Sequence, residues 1–80
     1  MGKNTFTPDQ EKLQILLRQI RREANLSQAE VAQRLGLPQS FVSKYELGER
    51  RLDVLEIHQI CKAVGISLED FVRKLEEILT

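Results

Sequence analysis

Eighty residues are enough for one domain and too few for two, and a core of this size leaves no room for a large enclosed catalytic cavity. No apolar run approaches the ~18 residues needed to span a bilayer, and the opening MGKNTF carries neither a signal-peptide core nor a Ser or Thr at position 6 for myristoylation, so a soluble, cytoplasmic protein without a membrane partner is expected. The net charge of zero argues at first against nucleic acid, but residues 18–51 hold seven cations (Arg18, Arg21, Arg22, Arg34, Lys44, Arg50, Arg51) against four anions, whereas residues 52–80 hold three cations against six anions, giving +3 and −3.

Residues 1–6 read as a short flexible N-terminus and residues 7–80 as a single domain. Thr7-Pro8-Asp9-Gln10 combines a capping residue, a proline suited to the first helical position and a Gln three residues after the cap, which together start a helix. Leu13, Leu16, Leu17, Ile20 and Ala24 mark one face of it, and Asn25 ends it. Asn25-Leu26-Ser27 matches a glycosylation acceptor but reads better as the turn before the next helix.

Ser27 with Glu30 forms a capping box for a second helix, about 28–35, with Val31, Ala32 and Leu35 inward and Gly36 as its stop. Pro38 opens a third helix, about 38–46, followed by Gly48. Asp53 with Glu56 caps a fourth, bearing Leu55, Ile57, Ile60, Cys61 and Val64 and closed by Gly65; Ser67 caps the fifth, about 68–79, with Leu68, Phe71, Val72, Leu75, Ile78 and Leu79. No segment alternates with period two, so the fold class is all-α. Cys61 is the sole cysteine and cannot form an internal disulfide; it reads as a core residue.

The second and third helices are too short to persist alone, because helices under ~12–15 residues are marginal in water. Ala32 is small where two axes approach, Gly36 accepts positive φ in the turn, and Leu37, Val42 and Tyr45 pack the third helix back on the second: a helix-turn-helix arrangement. On the third helix Val42, Tyr45 and Glu46 fall on one side and Gln39, Ser40, Ser43 and Lys44 on the other. Gln pairs both edges of adenine, Lys donates to guanine O6 and N7, and Ser serves a base or a phosphate. Phe41 lies between the two faces, to contact a thymine methyl or the sugar backbone, or else to be partly buried beside the turn. Gln28 begins the second helix, where free N–H groups favour a phosphate.

The run LRQIRREANLSQAEVAQRLGLPQSFVSKYELGERRL, followed by LEIHQICKAVGISLEDF, resembles the phage repressor and Cro-like, or XRE, helix-turn-helix family over about residues 13–72. The resemblance implies a five-helix, lambda-repressor-like DNA-binding domain, acting as a dimer on a double-stranded operator of two half-sites. It implies that the third helix lies in the major groove, with Gln39, Ser40 and Lys44 at base-reading positions, that Gln28 contacts the backbone and braces Gln39, and that Arg50 and Arg51 form a basic backbone-contacting segment. It also makes Arg21 and Glu46 a structural ion pair rather than DNA contacts.

The expected function is therefore a sequence-specific transcriptional regulator, a repressor, with an antitoxin or helical interaction adaptor as the alternative and a toxin or regulator as a protein partner in that case. Catalysis is not expected: Ser43 and His58 are the nominal nucleophile and base, and the chain offers no metal cluster, phosphate-cradling loop or cofactor motif. His58 lacks a second ligand at metal spacing. The departure from the family is VRKLEEILT, which extends the fifth helix; Leu75, Ile78 and Leu79 either close over Leu13 and Leu16 or pair with a second chain, and a homodimer through that stripe is expected.

Overall fold

Each helix begins at a residue whose side chain or ring suits a helix start, and the computed structural model, which describes residues 7–80, shows five of them: α1 (Pro8–Glu23), α2 (Gln28–Leu35), α3 (Gln39–Leu47), α4 (Val54–Val64) and α5 (Leu68–Leu79). The expected flexible segment at residues 1–6 lies outside the described residues. Thr7 Oγ1 accepts from the Gln10 amide, and Ser27/Glu30 and Asp53/Glu56 form complete capping boxes. Such caps satisfy amides that would otherwise be unpaired at the first turn, and each contributes ~1 kcal/mol. Pro38 stands just outside α3 as its cap rather than within it and supplies no side-chain bond.

Asn25 adopts left-handed φ of 59° directly after α1, a conformation Asn tolerates better than most residues. The α2–α3 turn is a Schellman closure: Gly36 has φ 72°, its N–H donates to the Gln33 carbonyl, and the Leu37 N–H reaches back to the Ala32 carbonyl. Leu37, the residue after that glycine, is 43% exposed instead of packing α3 onto α2. Val42 and Tyr45 make that contact, against Val31 and Ala32 in one buried cluster.

The core joins Leu16, Leu17 and Ile20 of α1, Val31 and Ala32 of α2, Val42 and Tyr45 of α3, Ile60 and Cys61 of α4, and Phe71 of α5. The second helix packs on α3 and α4, α1 on α3 and α5, and α4 on α5. Short α2 and α3 are thus clamped between longer neighbours, and truncating Leu16 or Leu17 to Ala would cost ~2–5 kcal/mol by opening a cavity between them. Leu55 and Val72, like Leu37, are expected from the sequence to face inward and instead face out. Leu55 is 73% exposed because only the part of α4 from Ile57 onward meets the core, and Val72 is exposed beside buried Phe71.

At the chain's end Leu75 and Ile78 are partly buried against the core, while Leu79 stays exposed. Two of the three residues of the stripe expected to serve a second chain thus already pack within the protomer. No described helix is long and apolar enough to cross a membrane.

Candidate nucleic-acid interface

The outer face of α3 presents Gln39, Ser40 and Lys44 to solvent, with Ser43 half-buried beside them. Its inner face is buried through Val42, Tyr45 and Glu46. A nine-residue helix keeps such a division only if its roll is fixed, and Glu46, 2% exposed, is the residue that fixes it. Arg21 Nε donates to Glu46 Oε2 at 2.7 Å and an Arg21 terminal nitrogen to Oε1 at 3.0 Å. The other terminal nitrogen of Arg21 reaches the Leu26 carbonyl in the α1–α2 turn at 3.0 Å, and Arg18 donates to the Glu46 backbone carbonyl at 3.0 Å. Hydrogen bonding to Glu46 holds the Arg21 guanidinium above its ordinary pKa against the opposing effect of burial. Burial pushes the neighbouring Tyr45 phenol well above its ordinary value.

The same carboxylate reaches the exposed face. Gln28 Nε2 donates to Glu46 Oε1 at 3.0 Å, and Gln39 Nε2 approaches Gln28 Oε1 at 3.4 Å. Gln28, at the start of α2, thus touches both the buried ion pair and the first residue of α3.

Arg50 donates to Glu56 Oε2 at 2.6 Å, lies over the Phe41 ring at 4.8 Å from its centroid, and also bonds the Arg51 carbonyl. Phe41 is half-buried, edge-on to Tyr45 with centroids 5.6 Å apart. Phe41 and Arg50 therefore form one stacked unit joining α3 to α4, while Arg51 stands exposed next to it. Arg34 is also committed internally, donating to the Ala63 carbonyl at 2.8 Å. Of the seven cations in residues 18–51, Arg18, Arg21, Arg34 and Arg50 bond to acceptors elsewhere in the protein, and Arg22, Lys44 and Arg51 are exposed with no such bond among the described residues.

Sequence reasoning missed the roles of Arg18, Arg34 and Glu56. Glu56 was visible as a capping residue, but nothing in its spacing from Arg50 signals a pair. Ser43 on α3 and exposed His58 on α4 belong to separate helices, and no group of His, Cys, Asp and Glu suits a metal ion among the described residues.

Two short helices joined by a tight glycine turn, the second displaying polar donors from a locked core-facing side, define a helix-turn-helix protein. A helix-turn-helix family model matches residues 17–71, and the chain belongs to the XRE family of helix-turn-helix transcriptional regulators. It is 34% identical over 58 residues to an uncharacterized HTH-type transcriptional regulator, y4dJ, of Sinorhizobium fredii (strain NBRC 101917 / NGR234), covering 72% of this chain and 75% of that one. It is similar to an XRE-family like protein from Pseudomonas syringae pv. tomato str. DC3000, with 44% identity, TM-score 0.80, and 88% and 85% of the two chains covered. It is also similar to the restriction-modification controller protein C.Esp1396I, seen as a tetramer in complex with its natural 35 base-pair operator, with 25% identity, TM-score 0.81, and 92% and 99% covered.

Proposed function

We propose that residues 7–80 act as a single DNA-binding domain that recognises a specific duplex operator through the major groove, as a homodimer on two half-sites, and represses transcription. The observation that carries this reading is the division of α3: Gln39, Ser40 and Lys44 exposed, Val42, Tyr45 and Glu46 buried. Exposed Gln and Lys match adenine and guanine edges, and Ser43 at the margin suits a phosphate or a base. Gln28 at the N-terminus of α2 and exposed Arg51 supply backbone contacts; Phe41 and Arg50 shape the rim as a stacked pair and reach the sugar-phosphate edge only if Arg50 exchanges Glu56 for phosphate. The operator complex of the C.Esp1396I tetramer supports an oligomeric mode of binding.

Leu79, with Leu75 and Ile78 behind it, supplies the proposed two-fold contact, which would place recognition helices in successive major grooves with half-site centres ~10 bp apart. Val54 and Leu55, exposed at the start of α4, favour the second reading, a protein-docking module such as an antitoxin or adaptor. Selection from random duplex DNA separates the two. A two-fold symmetric consensus is expected, and a failure to enrich any sequence rejects operator recognition in favour of docking.

A further inference from the structure

We propose that the buried carboxylate of Glu46 decides which end of the Gln39 amide faces a base, acting through the Gln28 brace that the family resemblance already implies, so that Arg21 and Glu46 are positioning residues for sequence specificity as well as parts of the fold. The proposal rests on Gln39 as a base-reading residue.

A primary amide has a donor end and an acceptor end of nearly equal size. An exposed Gln turns over freely between them, yet only one sense reads adenine, with Oε1 toward N6–H2 and Nε2 toward N7. Something must select that sense before DNA arrives, or the choice is made at the expense of binding. The structure contains a chain of bonds whose direction is forced from its buried end. Glu46 accepts two bonds from Arg21, one on each carboxylate oxygen, and so presents acceptors on both sides. Gln28 must therefore turn its Nε2 toward Glu46, as it does at 3.0 Å; the opposite sense would set amide oxygen against carboxylate oxygen. With Nε2 spent inward, Gln28 presents Oε1 outward, and this oxygen accepts from Gln39 Nε2 at 3.4 Å, the longest of the three steps. Gln39 is left with its Oε1 and its second N–H for a ligand, the acceptor and donor that an adenine edge takes.

Only the carboxylate end makes the chain directional. A neutral amide at position 46 would accept or donate with equal ease and leave both glutamines undirected. Gln28, by contact with both ends, transmits the choice.

The test measures binding of the intact protein to the selected operator and to duplexes in which each base pair is varied singly. In Gln28→Met, which keeps length and removes polarity, the preference for adenine at the base pair read by Gln39 is expected to fall about tenfold, while base ratios at the pair read by Lys44 hold. The double variant Arg21→Met, Glu46→Gln replaces the ion pair by neutral groups of similar size and should lose the same preference with Gln28 and Gln39 both present. In the protein without DNA, exchange of the Gln28 side-chain amide protons should be slow in wild type. Full adenine preference in Gln28→Met, or a loss spread evenly over all positions, overturns the relay, as does unprotected Gln28 amide exchange in wild type. Gln39→Ala discriminates the two layers: without a position-specific loss, base reading itself fails and the relay with it, whereas a loss there beside an unaffected Gln28→Met rejects the relay alone.

Discussion

Two Arg–Glu pairs flank α3, and their bond lengths hardly differ: Arg21–Glu46 at 2.7 Å and Arg50–Glu56 at 2.6 Å. Their surroundings do. Side-chain exposure is 11% and 2% in the first pair and 39% and 30% in the second. In the first, a buried carboxylate has no water to fall back on, so every bond it makes is obligatory and removing one partner strands a charge. In the second, solvent screens the attraction and offers both groups other partners, so the pair contributes little to stability and can be exchanged. Distance alone would rank the pairs wrongly; burial decides which is a fixed part of the domain and which is available for a ligand.

The largest effect that would break this comparison is expected from Glu46→Ala, which should cost ~3–5 kcal/mol by leaving Arg21 uncompensated. For a domain of this size the melting temperature, followed by circular dichroism, should fall by well over 10 °C. A fall of only a few degrees would show that the pair is solvated after all.

Next in size are Gln39→Ala and Lys44→Ala, which should weaken binding to the selected operator by ~1–3 kcal/mol each, at particular base pairs, with the fold unchanged. Equal losses on specific and random duplexes would move both residues to backbone contact.

Alkaline titration sharpens the comparison from another side. Burial pushes the Cys61 thiol from its ordinary 9.0 up to about 11, so the folded state keeps this proton where the unfolded state loses it. Above pH 9 the unfolded state then binds fewer protons, and stability should decline as pH rises from 9.0 to about 11. Arg21, held above its ordinary value, stays charged through this window, so its pair with Glu46 survives. Cys61→Ala should flatten the decline; if the slope persists unchanged in that variant, its origin is elsewhere.

The smallest effect belongs to the exposed pair. Arg50→Ala should lower stability by less than ~1 kcal/mol, and the loss should vanish in high salt. In DNA binding, Arg51→Ala should reduce the slope of log K against log salt by ~0.9, as for one lost phosphate contact, and Arg50→Ala by less. Equal slopes in the two variants would mean that Arg50 leaves Glu56 for the phosphate on binding.

Much of this molecule is determined within a few residues along the chain. Ser27 with Glu30 and Asp53 with Glu56 announce helix starts because a capping bond spans only three residues, and Leu13, Leu16, Leu17 and Ile20 announce a buried face because helical period is a local property. The division of α3 into Gln39, Ser40 and Lys44 against Val42 and Tyr45 follows from the same arithmetic. The Arg21–Glu46 pair became legible only through family resemblance, since 25 residues separate its members.

Tertiary structure alone decided how the charges are spent. Arg18, Arg34 and Arg50 look like ordinary members of a basic segment until packing brings Glu46, Ala63 and Glu56 within reach, across 28, 29 and 6 residues. Packing likewise turned Leu37 and Leu55 outward and drew Leu75 and Ile78 partly into the core, because a helical stripe specifies which residues share a side but not what that side meets. Backbone caps and period arise from neighbours in sequence; the partner of a long side chain is whatever the folded chain places at its tip.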